Sequence, residues 1–262
     1  MMARMIVRPA LRGLARSALS QPRAMAPLSS ALRSCATAAT KAPGEAEFVT
    51  GFELLEQSRL SPAVDSFARS AELGHAEGNF YLGLAYDGLI GTDSTDSHPI
   101  ELDPAAAARC YERAAQKGHS MAMLNLSLNY KNGDGVEADV GVAWKWLSLA
   151  AAADDCDRAC FNAGVALDPL HPPYGRPGVD MIGKDPEKAL FFYRKAVAQG
   201  HEKAKVNLGV ALYTGTGCAK DKAAAEKLWL EAHEAGVTEA GFCLRNMEDS
   251  PGKLEQMFNS EA

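Results

Sequence analysis

Long apolar runs are missing from this chain of 262 residues. None approaches the ~18 consecutive apolar residues of a membrane-spanning helix, so no transmembrane helix is expected. Cysteine chemistry is sparse. The six cysteines stand at 35, 110, 156, 160, 218 and 243, with no C-x-x-C and no twin pairs of equal spacing. That argues against a zinc centre or a disulfide framework. Catalytic signatures are missing too: no Gly-Lys-Ser/Thr phosphate loop, no nucleophile elbow and no His-Glu-x-x-His. The Gly-Asp-Gly and Gly-Thr-Gly fragments at 133–135 and 215–217 follow helical patterns rather than strands, so they read as turns. No catalytic residue, metal or cofactor is expected from these patterns. Aromatic residues make up only 7% of the chain, and alanine is abundant where they are not.

Acids are absent from residues 1–44, which hold seven basic side chains: Arg4, Arg8, Arg12, Arg16, Arg23, Arg33 and Lys41. Four of the arginines recur every four residues and form a basic helical stripe beside Met5, Ile6, Leu11, Leu14 and Leu19. Such a segment, rich in arginine and serine and amphipathic, reads as a mitochondrial-type presequence, with a plastid as the alternative destination. It is expected to be disordered or removed, with cleavage between about Arg33 and Glu45. The other reading is a basic tail. The remainder carries 20 basic and 33 acidic residues. A body that acidic repels phosphate backbones and excludes nucleic acid as the default partner.

What the chain does have is recurrence. One helical position reads Ala63, Ala107, Ala143, Ala189, Ala225. Four residues on come Phe67, Tyr111, Leu147, Tyr193, Trp229, and three further on Ser70, Ala114, Ala150, Ala196, Ala232. Spacings of i, i+4 and i+7 place each set on one helix face. An aspartate precedes four of these helices: Asp103, Asp139, Asp185 and Asp221. Aspartate there caps free N–H groups of the first turn. The first unit has Ser61-Pro62 instead. Glycine is expected to stop the helices at Gly74, Gly118, Gly200 and Gly236. The partner helices repeat as Gly78, Leu82, Gly83, Tyr86; Ala122, Leu126, Ser127, Tyr130; Ala159, Ala163, Gly164, Leu167; and Ala204, Leu208, Gly209, Leu212. Their small residues are expected to let neighbouring helix backbones approach closely. The base period is 36, with insertions at 89–102 and 168–184. Two helices per unit at this period signal a repeat solenoid.

The recurring leucine–glycine pair, Gly-x-Gly loop, capping aspartate and ring resemble the Sel1-like repeat, a relative of the tetratricopeptide repeat. The match is clearest at Ala122–Ala153 and Ala204–Gly236, and it covers about Glu47 to Met247. Departures are Ser127 for glycine, Leu167 and Leu212 for tyrosine, and a third unit without the Gly-x-Gly loop. The resemblance implies an all-α, α/α superhelical solenoid of about five helix-turn-helix units over 45–247, one that binds other proteins and carries no catalytic residues. Residues 248–262 read as a cap on the last layer, with a short helix at Gly252–Asn259.

The candidate partner-binding positions follow from register. The residue before each leucine–glycine position is Tyr81, Asn125, Asn162 or Asn207, and Asn129 widens the row. An amide offers both a donor and an acceptor to an extended peptide. The alternative is that these side chains bind neighbouring loops and hold the layers together. The expected partner is a protein, with a basic or extended segment suiting the acidic body. His75, His119 and His201 recur in the scaffold register and read as structural. A rival enzyme reading, redox- or metal-linked or hydrolytic, requires folding to bring Cys156, Cys160 and His171 together.

Overall fold

A computed structural model of the chain describes residues 42–90, 101–171, 174 and 182–249. Residues 1–41 of the presequence reading at 1–44, most of both insertions and the helix expected at Gly252–Asn259 lie outside the described residues. The chain divides into two compact units, 1–119 and 120–262. The first contains α1 (Glu45–Glu56), α2 (Leu60–Glu72), α3 (Ala76–Tyr86) and α4 (Pro104–Ala115). The second contains α5 (Ser120–Asn132), α6 (Val140–Ala152), α7 (Asp157–Leu167), α8 (Pro186–Ala198), α9 (Glu202–Thr214), α10 (Lys222–Glu234) and α11 (Thr238–Asp249). No strand occurs among the described residues. Within each unit every helix packs on the next in sequence.

The repeating set defines the core. All fifteen residues of the alanine, ring and small-residue positions are at most 2% exposed. The ring of each second helix lies against the first helix at a place where a side chain would collide with it. A Cβ on Gly51 would come within 2.7 Å of the Phe67 ring, one on Gly83 within 2.6 Å of Tyr111, and one on Gly164 within 2.5 Å of Tyr193; Gly209 meets Trp229 in the same way. Gly78, at the other small position, does lie close to the neighbouring helix, where a Cβ would come 2.7 Å from Ser70 Cβ and 3.2 Å from the Ala71 backbone nitrogen. At the position of these four, the glycines make room chiefly for a ring, which corrects the expectation from sequence there. The exception is consistent. Ser127 replaces the glycine in the repeat whose ring position holds Leu147, and its hydroxyl donates to the Leu124 carbonyl at 2.7 Å.

The four aspartates act at both ends of their loops. Their Oδ1 atoms accept from Ala106, Val142, Lys188 and Ala224 N–H at 2.9–3.0 Å. Each also donates its own N–H to the end of the preceding helix: Asp103 to Tyr86, Asp139 to Tyr130, Asp185 to Leu167 and Asp221 to Leu212, at 2.8–3.1 Å. The same clip closes the loop with or without an insertion. The first pair differs from expectation. Its α2 begins at Leu60 with Arg59 as the capping residue and no side-chain cap bond, ahead of Ser61-Pro62.

Helix ends show a second device. Gly74, Gly118, Gly200 and Gly236 take positive φ of 82–88° after α2, α4, α8 and α10, a conformation that costs glycine little. After α6 stands Ala153 in an extended conformation. There Lys195 of α8 donates Nζ to the Ala151 and Ala152 carbonyls, both at 2.9 Å, and lies 3.2 Å from Asp154. A cation suits the negative end of a helix. Lys195→Met is expected to cost about 1–2 kcal/mol in urea unfolding, with Lys195→Arg costing less.

Candidate functional site

The five register positions meet different fates. Tyr81 lies in an aromatic cluster, its ring 5.2–5.9 Å from those of Phe48, Phe52, Phe67 and Phe80. Burial, with Glu77 adding to it, pushes its hydroxyl pKa up. Asn129 is buried, and its Nδ2 has no hydrogen-bond partner among the described residues. Asn207 on α9 is committed: Nδ2 lies 3.3 Å from the Tyr193 hydroxyl and 3.2 Å from His171 Nε2. Asn125 on α5 and Asn162 on α7 are half-buried. Like Asn129, neither side chain holds a hydrogen-bond partner among the described residues.

The commitment of Asn207 exposes a cluster that sequence reasoning missed. Asp168 follows α7 and is 4% exposed. Its Oδ1 accepts from Leu170 N–H at 2.9 Å, and its Oδ2 accepts from the Tyr193 hydroxyl at 2.9 Å. This turn stands where other units carry Gly-x-Gly, and the aspartate side chain shapes it instead. His171 Nε2 sits 3.7 Å from Asp168 Oδ2. Burial, and then the neighbouring carboxylate, pushes the Tyr193 pKa well above the usual phenol range. Burial also lowers the pKa of His171, with Asp168 opposing and Lys184 assisting. A related pair occurs in the first unit, where the Tyr111 hydroxyl donates to Asp87 at 2.8 Å. The sequence signal was an aspartate directly after the first helix, 24 or 25 residues before the ring.

The cysteines and His171 do not assemble into the site that the enzyme reading requires. Cys156 and Cys160 are both fully buried in the core of the second unit. The Cys156 thiol approaches Met121 Sδ at 3.6 Å, and the Cys160 thiol donates to the Ala151 carbonyl at 3.4 Å. Burial raises the pKa of Cys156 to about 11 and that of Cys160 as well, so both rest as thiols rather than reactive thiolates. His171 is occupied with Asn207. No group of three histidine, cysteine or carboxylate side chains among the described residues is arranged to hold a metal. The recurring histidines serve the scaffold. His75 and His201 accept from Gly78 and Ala204 N–H through Nδ1, at 3.3 and 3.2 Å. His119 and His201 stack on Phe80 and Phe161 with ring centroids 4.4 Å apart.

No helix among the described residues is long and apolar enough to cross a membrane.

The family model described as the Sel1 repeat matches residues 76–119, 120–155, 174–201 and 203–237, more than half of the chain. The chain is similar to a Sel1 repeat protein of Oxalobacter formigenes at 22% identity. The match covers 82% of this chain and 85% of that one, with a TM-score of 0.64. It is also similar to a protective antigen of uropathogenic Escherichia coli strains displaying an SLR fold. Here the identity is 22% over 82% of this chain and 44% of that one, with a TM-score of 0.66. At that identity the likeness establishes the fold class, an all-α helix-turn-helix repeat solenoid. No curated protein matches the chain.

Proposed function

The chain belongs to the Sel1 repeat family, whose repeats act in protein–protein interaction, and from that premise we propose that it is a non-enzymatic scaffold or adaptor working in mitochondria. Its role is that of an assembly factor or peripheral subunit of a mitochondrial complex. The observation that carries the binding surface is the pair of uncommitted amides, Asn125 on α5 and Asn162 on α7. They occupy matched positions on the first helices of adjacent repeats, whereas the Asp168 and Tyr193 side chains of the same unit are already bonded. Two amides on adjacent repeats suit the backbone of an extended protein segment. The acidic body favours a basic one. The mitochondrial destination is supported by the acid-free, arginine-rich segment before Glu45.

The test is affinity purification from native cells of the wild-type chain and of a variant carrying Asn125→Ala and Asn162→Ala. The expected result is loss of the principal co-purifying protein with a melting temperature within about 2 °C of wild type, since changes at half-exposed sites are small. A variant that keeps the protein partner but loses stability assigns the amides to the scaffold and overturns the reading. Peptides from Arg4 to Arg33 in the mature cellular protein overturn the presequence reading.

A further inference from the structure

The hydrogen bonds around Asp168 permit one arrangement of protons. The Tyr193 hydroxyl gives its proton to Asp168 Oδ2 at 2.9 Å. Its oxygen can then only accept, and the neighbour at 3.3 Å is the amide of Asn207. That amide must present its NH2 group, because the opposite orientation would set two proton-free oxygens against each other. The nitrogen carries two protons. One goes to Tyr193, and the other points at His171 Nε2, 3.2 Å away. Nε2 is therefore a lone pair, and the imidazole is neutral with its proton on Nδ1.

We propose that His171 is a proton-operated latch: neutral, it holds Asn207 of α9, and protonated, it releases Asn207 and pairs with Asp168 of its own turn. The second seat is already in place. Asp168 Oδ2 lies 3.7 Å from the same Nε2, so a shift of roughly 1 Å brings an imidazolium within charge-assisted bonding distance. A proton on Nε2 sets donor against donor at Asn207, and that contact must open. The groups facing the ring come from each neighbouring element. Asp168 favours the charged ring, and Lys184, just before α8, disfavours it. Tyr193 of α8 enters as a neutral phenol, α9 contributes only the uncharged Asn207, and Lys131 of α5 acts on Lys184. Since burial outweighs Asp168 and lowers the affinity of the ring for a proton, the sign is fixed. The latch stays closed at neutral and higher pH and opens only below the ordinary imidazole value near ~6.5. This device stands whether or not α9 meets a partner.

Long-range 1H–15N NMR of the imidazoles, with side-chain amide spectra of the whole chain, tests it. Wild type at pH 7.5 is expected to show His171 as the Nδ1–H tautomer. On acidification the ring should titrate below ~6.5, and the Asn207 side-chain amide resonances should move with the same midpoint. His171→Gln, whose amide oxygen accepts without titrating, should leave those resonances flat over the same range. Asn207→Asp should raise the midpoint by about one unit or more, since a carboxylate favours the charged ring. An Nε2–H tautomer at pH 7.5, a midpoint at or above the ordinary value, or Asn207 resonances that ignore the titration would overturn the proposal. The wild-type spectra decide the matter even if a variant fails to fold.

Discussion

Replacing Trp229 by alanine is expected to lower the unfolding free energy of the second unit by about 3–5 kcal/mol, the range for emptying a large buried aromatic site. The reasons lie in what the indole touches. It is fully buried and packs on Tyr213 with ring centroids 5.6 Å apart. It presses on Gly209, which has no side chain of its own with which to fill the void. Its Nε1–H donates to the Val206 carbonyl at 3.1 Å. That carbonyl belongs to α9, so the bond ties the two helices of the pair together. Thermal unfolding followed by circular dichroism should show a fall of roughly 10 °C or more. Trp229→Phe keeps a ring but drops the Val206 bond, and it should fall between wild type and alanine. A loss below about 1 kcal/mol for the alanine variant would mean that the site collapses and that this contact is not a pillar of the unit.

The second large effect is expected from adding one methyl group. Gly51→Ala should cost about 1–3 kcal/mol, because the new Cβ meets the Phe67 ring and there is little room to yield. The pair Gly51 and Phe67 is the cleanest of its kind, since the phenylalanine ring carries no polar group whose loss would confuse the result. Phe67→Leu alone should also destabilise, by leaving a space. Together the two changes should partly compensate, with a coupling of about 1 kcal/mol or more. A similar combination stands at the same register positions of another repeat: Ser127, larger than glycine, and Leu147, smaller than a ring, both buried. Urea unfolding of the two single variants and the double variant measures the coupling directly. Simple additivity would show that glycine is required here for another reason.

The repeat frame was legible because burial on a helix face leaves a period in the sequence, and Ala143, Leu147 and Ala150 state it as plainly as Ala225, Trp229 and Ala232. The caps were legible for a similar reason: aspartate before a helix has one common physical use. The role of the glycines was only half visible. Missing side chains serve a close backbone or a close ring equally well, and the sequence does not say which neighbour takes the space. The Asp168 cluster was hidden because it replaces the repeat pattern. Asp168, His171, Tyr193 and Asn207 converge from a turn and two helices, and that convergence is a tertiary event. The row of amides shows the same limit. Register put Asn125, Asn162 and Asn207 in one series, but only packing decided that Asn207 would be engaged by Tyr193 and His171 while the other two stay available. The Lys195 bond was hidden likewise, since its acceptors lie 43 and 44 residues earlier.

That lysine has a bearing on how such an array can change over time. Where a glycine closes a helix, a repeat carries its own ending and can be duplicated or deleted as a cassette. The helix ending at Ala152 depends on a residue supplied by α8. Copying a unit in between them, or excising the one that carries α8, would separate the ending from its supplier. Recombination that is neutral at other junctions is therefore penalised at this one, and the order of these two repeats is held in place by chemistry.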